Sequence, residues 1–169
     1  IAAGSVAGIP NQVIIFLILL VISFILLHLT KYGRKIFLIG VNRNTAEYSG
    51  IKTARLVMST YVLSGIAASI AGILLTSYLG TAKPDFGADL TLPIITAVVL
   101  GGTSIYGGKG NVIGTGLAAL IIGFMKFGLT LIGINAQYQD IPVGILLIVS
   151  LIINFMINSN VFQNLKRKK

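Results

Sequence analysis

The sequence predicts an all-α, polytopic integral membrane protein with about five transmembrane helices and a short cytoplasmic helix between the first two. Three observations predict it. The 169 residues are 55% hydrophobic, with a mean hydropathy of +0.94. Only 10% of them are charged, against about 25% in ordinary soluble domains. The apolar residues gather into runs of spanning length, and nearly all the lysines and arginines fall on alternate connections between those runs.

A spanning helix needs about 20 mostly apolar residues. Residues 11–29 supply the first, around VIIFLILLVISFILL. A polar, basic segment follows, TKYGRKIFLIGVNRNTAEYSGIKTAR. Residues 56–79 form the second span, rich in small side chains such as Ser64, Gly65, Ala68 and Gly72. The polar loop GTAKPDFGAD leads to a third run at 92–105. At roughly 14–16 residues and 1.5 Å each, this run is shorter than a ~30 Å hydrocarbon core, and a re-entrant or broken span is one reading of it. A fourth span covers 112–132. The loop INAQYQD joins it to a fifth, 141–157, and the tail NLKRKK closes the chain. Pro10, Pro93 and Pro142 fall at the starts of the first, third and fifth spans, where a missing N–H is tolerated.

Five alternating spans divide the charges sharply. One set of connections holds Lys31, Arg34, Lys35, Arg43, Lys52, Arg55, Lys109 and the tail residues Lys166, Arg167, Lys168 and Lys169; the other holds only Lys83. Cytoplasmic loops attract Lys and Arg, so the first set is expected inside, with the N-terminus outside and the C-terminus in the cytoplasm. The formal net charge of +9 is therefore explained by topology, and no nucleic-acid partner is expected. There is no cysteine, which removes disulfide and thiolate chemistry. The chain opens on Ile1 without a basic leader, and it is expected to be the C-terminal half of a longer protein.

The stretch VLGGTSIYGGKGNVIGTG, residues 99–116, invites a nucleotide-loop reading. It fails one. A phosphate-binding loop needs G-x-x-x-x-G-K-[ST], but Thr103 stands five before Gly108, and Gly110 follows Lys109. The spacing of Gly108, Gly110 and Gly114 also misses G-x-G-x-x-G by one residue. A tight cytoplasmic turn fits better. Gly107, Gly108 and Gly110 would take positive φ, while Gly101, Gly102, Gly114 and Gly116 would let helix backbones approach closely.

In the long basic connection, Asn44 can cap a short helix over residues 45–49, with Glu47 completing a capping box and Gly50 stopping it. So short a helix is unstable alone and needs packing. Here the residues resemble a family. GRKIFLIGVNRNTAEYSGI is similar to the coupling loop of bacterial ABC importer permeases of the ribose and autoinducer-2 (monosaccharide) type, and GADLTLPIITAVVLGGTSIYGGKGNVIGT resembles their second signature, in the expected order.

That resemblance implies a permease subunit translocating a small sugar or sugar-like solute into the cytoplasm. Its partners would be a second permease subunit in a homo- or heterodimer, cytoplasmic ABC ATPase subunits, an extracytoplasmic solute-binding protein and the lipid bilayer of the bacterial inner membrane. ATP and Mg would be held by the ATPase, with no cofactor on this chain. Carried over by position, the ATPase-coupling interface is Asn42, Arg43, Asn44, Thr45, Ala46, Glu47, Tyr48, Ser49, Gly50 and Ile51; Thr45 and Tyr48 vary from the family pattern.

Four further residues are candidates for a translocation path. Lys126 is the one cation inside a predicted span, and an intramembrane charge is a functional candidate by default. Thr91, Thr96 and Thr103 can hydrogen-bond sugar hydroxyls, although threonine also bonds helix backbone. Asp85, Asp89 and Asp140 are expected on the outer side and His28 at the inner end of the first span. The rival reading, a fragment of a secondary transporter or channel, leaves the loop helix without a task. An enzyme would need a nucleophile–base pair that these residues do not supply, and no metal-ligand set stands out.

Overall fold

The computed structural model describes residues 5–6, 9–82 and 84–158. Lys83, the side chain of Asp85 and the basic tail residues 166–169 lie outside the described residues. The chain divides into two compact units, Ile1–Pro84 and Asp85–Lys169.

The first unit opens with a two-residue antiparallel pair, Ser5–Val6 against Ile9–Pro10. Helix α1 (Asn11–Phe24) starts directly after Pro10 and runs on into a π-helical turn, Ile25–Leu29. No α1 side chain is buried, as suits a helix that is apolar all round and faces lipid or another protein. Thr30 then breaks the chain with extended backbone (φ −96°, ψ 159°). Its hydroxyl donates to the Leu26 carbonyl at 2.6 Å and accepts from the Gly33 N–H at 3.3 Å. One side chain thus closes the first helical run and caps the next. Helix α2 (Lys31–Val41) occupies much of the polar, basic segment between the first two spans. The signal was there: a threonine cap, then Ile36, Phe37 and Ile39 among basic residues. His28 stacks on Phe24 at 5.0 Å between ring centroids and meets Phe37 edge-on at 6.0 Å.

Helix α3 (Arg43–Tyr48) is the short loop helix, and α4 (Thr53–Leu79) the second long span. At 1.5 Å per residue α4 is about 40 Å long, longer than a ~30 Å hydrocarbon core, so it begins outside the apolar layer. The Tyr32 hydroxyl meets Ser59 Oγ at 2.6 Å and fastens α2 to α4.

The second unit begins with a 3-10 helix, Pro84–Leu90, followed by α5 (Thr91–Leu100), α6 (Val112–Leu131) and α7 (Ala136–Asn158). The short α5 packs against both α6 and α7. It reaches only about 15 Å, half a membrane. Its neighbours bury Thr96, Ala97 and Val99, which is the setting in which irregular backbone is tolerated at membrane depth. The core consists of Ala97, Ala118, Ile122 and Val143, with Met125 packed against it. The two alanines allow close helix approach, as small residues do between helices in lipid.

Two boundaries differ markedly from the sequence expectation. The third run stops at Leu100 rather than 105, because Gly102 turns left-handed (φ 88°) and the N–H groups of Gly102 and Thr103 close on the carbonyls of Val99 and Val98. The fifth span starts at Ala136 rather than 141. Pro142 therefore sits inside α7, not at its start, and Asp140 is helical, not in a loop. Asn135, a favoured capping residue type, stood before that start. In the glycine turn, Gly107 and Gly108 take positive φ as expected; Gly102 does so as well, and Gly110 does not.

Among the described residues four helices are long and apolar enough to cross a membrane: Asn11–Leu29, Thr53–Leu79, Val112–Leu131 and Ala136–Met156. With α5 as the shorter fifth apolar helix, the protein is an all-α, multi-pass membrane protein.

Candidate functional site

The loop helix α3 is built from its caps inward. Asn42 is extended (φ −158°, ψ 111°), which ends α2 and starts α3 at once. Its Oδ1 accepts from the Thr45 N–H at 3.1 Å. The cap is thus Asn42 and not Asn44, which lies within the first turn. The expected capping box is corrected with it, since the third helical position now belongs to Thr45. Glu47 turns elsewhere. Its Oε1 accepts from the Thr53 hydroxyl at 2.5 Å and from Arg43 Nε at 3.3 Å, so it pins α3 to the first turn of α4. At the far end Gly50 is left-handed (φ 77°), and the N–H groups of Gly50 and Ile51 close on the carbonyls of Glu47 and Ala46. Ser49 Oγ donates to the Thr45 carbonyl at 2.9 Å.

Packing divides this helix into two faces. Ala46 is buried, as is Thr53 beside it in the fold. Arg43, Asn44, Thr45, Glu47, Ser49 and Gly50 are exposed, Ile51 is half-buried, and Tyr48 is 93% exposed. A rigid stub of six residues, held by one small side chain and one carboxylate, therefore presents an aromatic ring and polar groups outward.

The Thr53 hydroxyl, then Arg43, hold the Glu47 carboxyl below its ordinary value of 4.5. A depressed carboxylate contributes stability that is present above the unfolded value and lost as pH falls through the folded one. The packing of α3 on α4 is accordingly expected to be constant above about pH 5 and to loosen below about pH 4.5, with Glu47→Gln abolishing the dependence. Protease accessibility of the loop against pH reads it.

The four path candidates are not brought together. Thr91 is exposed at the start of α5; Thr96 is fully buried in the core, with its hydroxyl donating to the Leu92 carbonyl at 2.8 Å. Thr103 lies just beyond α5, half-buried, its carbonyl accepting from Asn154 Nδ2 at 3.3 Å. Lys126 donates to Asp140 Oδ1 at 2.8 Å, joining α6 to α7. Gln139, also buried, donates to Thr130 Oγ1 and to the Ile134 carbonyl, each at 3.0 Å. These bonds latch the α6–α7 hairpin.

The latch makes a prediction. Lys126→Met or Asp140→Leu alone leaves the partner's charge unpaired. Each is expected to cost roughly 1–2 kcal/mol, less than the ~2.5–3.5 kcal/mol of a span centre because both groups keep partial solvent contact. The double variant should be more stable than either single one. Thermal melts in detergent would check the order; equal losses that add would refute the pairing.

Sequence reasoning missed two things in this unit. One is Asp140 as the partner of Lys126, hidden by the misplaced start of α7. The other is a mostly apolar cleft of about 260 Å³, lined by Val99, Leu100 and Ile153 together with Ser104, Lys109, Ser150 and Asn154. None of Thr91, Thr96, Thr103 or Lys126 lines it. Among the described residues no group of His, Cys, Asp and Glu could hold a metal ion.

Several apolar spans, a short helix packed against two of them and a capped stub on a basic connection define a multi-pass membrane protein. The chain belongs to the family described as branched-chain amino acid transport system / permease component, which it matches over residues 1–151. It is 44% identical over 147 residues to the autoinducer 2 import system permease protein LsrD of Yersinia enterocolitica, covering 87% of this chain and 44% of that one. The protein of the same name from Photorhabdus temperata is 45% identical over 148 residues, covering 88% and 44%, and that of Escherichia coli 45% over 145 residues, covering 86% and 44%. The chain thus spans less than half the length of these relatives. No solved structure matches it significantly. Its relatives are transport permease components rather than enzymes.

Proposed function

We propose that this chain is the C-terminal part of an ABC importer permease that carries a small sugar-like solute of the autoinducer-2 class into the cytoplasm. Both units belong, on this reading, to one permease domain in the bacterial inner membrane, with the C-terminus inside. The observation that carries the proposal is α3. Residues 42–51 make a doubly capped stub on the basic side of the membrane, with Ala46 buried and Tyr48 outward. A stub of this kind suits a groove on a cytoplasmic ATPase, which would hold ATP and Mg; a second permease subunit and an extracytoplasmic binding protein complete the system. Moving an equilibrium between access states almost completely takes about 5.5 kcal/mol of differential binding, and a rigid stub transmits such a bias where a flexible loop would not.

The family match and the relatives named for autoinducer 2 import support the solute class. Thr91, Thr96, Thr103 and Lys126 remain the proposed path residues. Thr96 and Lys126 would act there only if the conformational cycle frees them from the Leu92 carbonyl and from Asp140.

The experiment is co-purification of the ATPase with the permease. Tyr48→Ala combined with Asn44→Asp is expected to lower ATPase retention at least tenfold while the permease stays folded. Ala46→Leu, which overfills the buried contact, should do the same by displacing the stub. Full retention in both variants would remove the coupling role.

A further inference from the structure

Glu47 is the one carboxylate in residues 1–84, on a connection otherwise rich in lysine and arginine. It bonds to Thr53, six residues on, which is 4% exposed and is the first residue of α4. Lys52, at the N-cap of α4, makes no side-chain cap bond. The Glu47 carboxylate therefore stands at the end of α4 where a helix favours negative charge, and a hydrogen bond to an ionised group is roughly twice as strong as a neutral one.

The backbone between α3 and α4 is poorly suited to carry a push. Ser49, Gly50, Ile51 and Lys52 lie outside both helices. Gly50 is left-handed (φ 77°), and Lys52 takes φ −76° and ψ 79°. Links of this kind absorb changes of φ and ψ as hinges. A displacement of α3 would be spent there unless a side-chain contact bypassed the link. The Glu47–Thr53 bond bypasses it.

A second bond completes a frame. Ser59 Oγ already donates to the Leu56 carbonyl at 2.7 Å, so in its 2.6 Å contact with Tyr32 the phenol is the donor. This ties α2 to α4. Asn42 joins α2 to α3 and caps the latter through the Thr45 N–H. The three helices are thus fastened pairwise, and a triangle holds its angles where an open chain does not. Coupling between sites travels through hydrogen-bonded, rigid elements of this sort.

We infer that Thr53 and Tyr32 are positioning residues of the transport cycle: the Glu47–Thr53 bond, braced by Tyr32–Ser59, carries a displacement of the stub into the second span past the Gly50 hinge. The inference rests on the ATPase-contact reading of α3 and deepens it, by separating the residues that hold the ATPase from those that pass its motion on.

The test uses the full-length permease–ATPase complex in nanodiscs, with a fluorophore on Ile73→Cys, an exposed position far along α4. Two quantities are read: ATPase retained, and the change in label environment on adding ATP with vanadate. Thr53→Val should keep the ATPase but weaken the ATP-driven shift in the label's equilibrium by roughly tenfold or more, as for a lost hydrogen bond to a charged group. Thr53→Ser should restore it. Tyr32→Phe should weaken it about two- to tenfold, with retention unchanged. Thr60→Val, whose lost hydroxyl bonds within α4 to the Val57 carbonyl, should leave both readouts unchanged. A full label response in Thr53→Val, no rescue by serine, or equal loss in Thr60→Val overturns the inference. Loss of the ATPase from Thr53→Val also overturns it, since Thr53 would then only support the fold of α3. A wild-type complex that holds its ATPase without any label response sinks this inference alone; one that holds no ATPase removes the coupling reading itself.

Discussion

Gly33→Ala is expected to open the elbow between the first span and α2 and, on the proposed function, to lower transport sharply. A Cβ at residue 33 would stand 1.9 Å from the Leu27 carbonyl oxygen and 2.5 Å from its carbon. Both are backbone atoms, so no change of rotamer relieves the clash. Overpacking in a settled core costs about 1–3 kcal/mol, and a backbone overlap of this depth belongs at or above that upper end. Relief requires α2 to swing away, which would strain the Gly33 N–H bond to Thr30 and the Tyr32–Ser59 bond. Since α2 leads directly through Asn42 into α3, the stub would move with it. Transport in proteoliposomes should fall at least tenfold, and the α2–α3 connection should become susceptible to proteases. Wild-type transport and protease resistance in Gly33→Ala would show that the elbow is not as close as described.

Gly101→Ala and Gly114→Ala should each disrupt the α5–α6 packing. A Cβ on Gly101 would lie 2.4 Å from Thr115 Cα and N, and one on Gly114 would lie 2.2 Å from the Gly101 carbonyl oxygen. The two glycines meet each other's strand of backbone, so their substitution should be strongly non-additive: once the helices part, the second change costs little. Each single variant is expected to lose about 3 kcal/mol or more, beyond the usual range for an added methylene. Gly108→Ala provides the contrast. Its φ of 76° penalises alanine, but only by about 1–2 kcal/mol for a single left-handed residue. Gly110→Ala should be nearly neutral. Detergent melting temperatures would rank the four; a Gly108→Ala loss as large as that of Gly114→Ala would contradict the close approach.

These two pairs show which glycines the sequence could sort and which it could not. VLGGTSIYGGKGNVIGTG was readable as a turn plus close-packed helices, and Gly107 and Gly108 behave as turn residues while Gly101 and Gly114 behave as contact residues. Gly102 takes a turn conformation in place of the contact role expected of it, and Gly110 does not take positive φ. A turn's position depends on where α5 runs out, and that is decided by its packing between α6 and α7. The loop helix was similarly half legible. A cap, a stub and the Gly50 stop were foreseen, but not that α2 continues as helix to Val41. With α2 in place, Asn42 becomes the cap, and Glu47 is released to bind Thr53.

By itself the sequence determined the membrane class, the number of apolar helices, the basic connections and the existence of a capped stub. All of these follow from residues that are neighbours along the chain: hydropathy over about 20 positions, and capping over three or four. Only the tertiary structure decided that Lys126 pairs with Asp140, that Gly33 lies under Leu27, that Gly101 meets Gly114 and that Ser104 is left with an unused hydroxyl. Each depends on how far one helix is shifted and rotated against another. In a bilayer that offset is set by the sum of many small packing contacts, which no local pattern along the chain records.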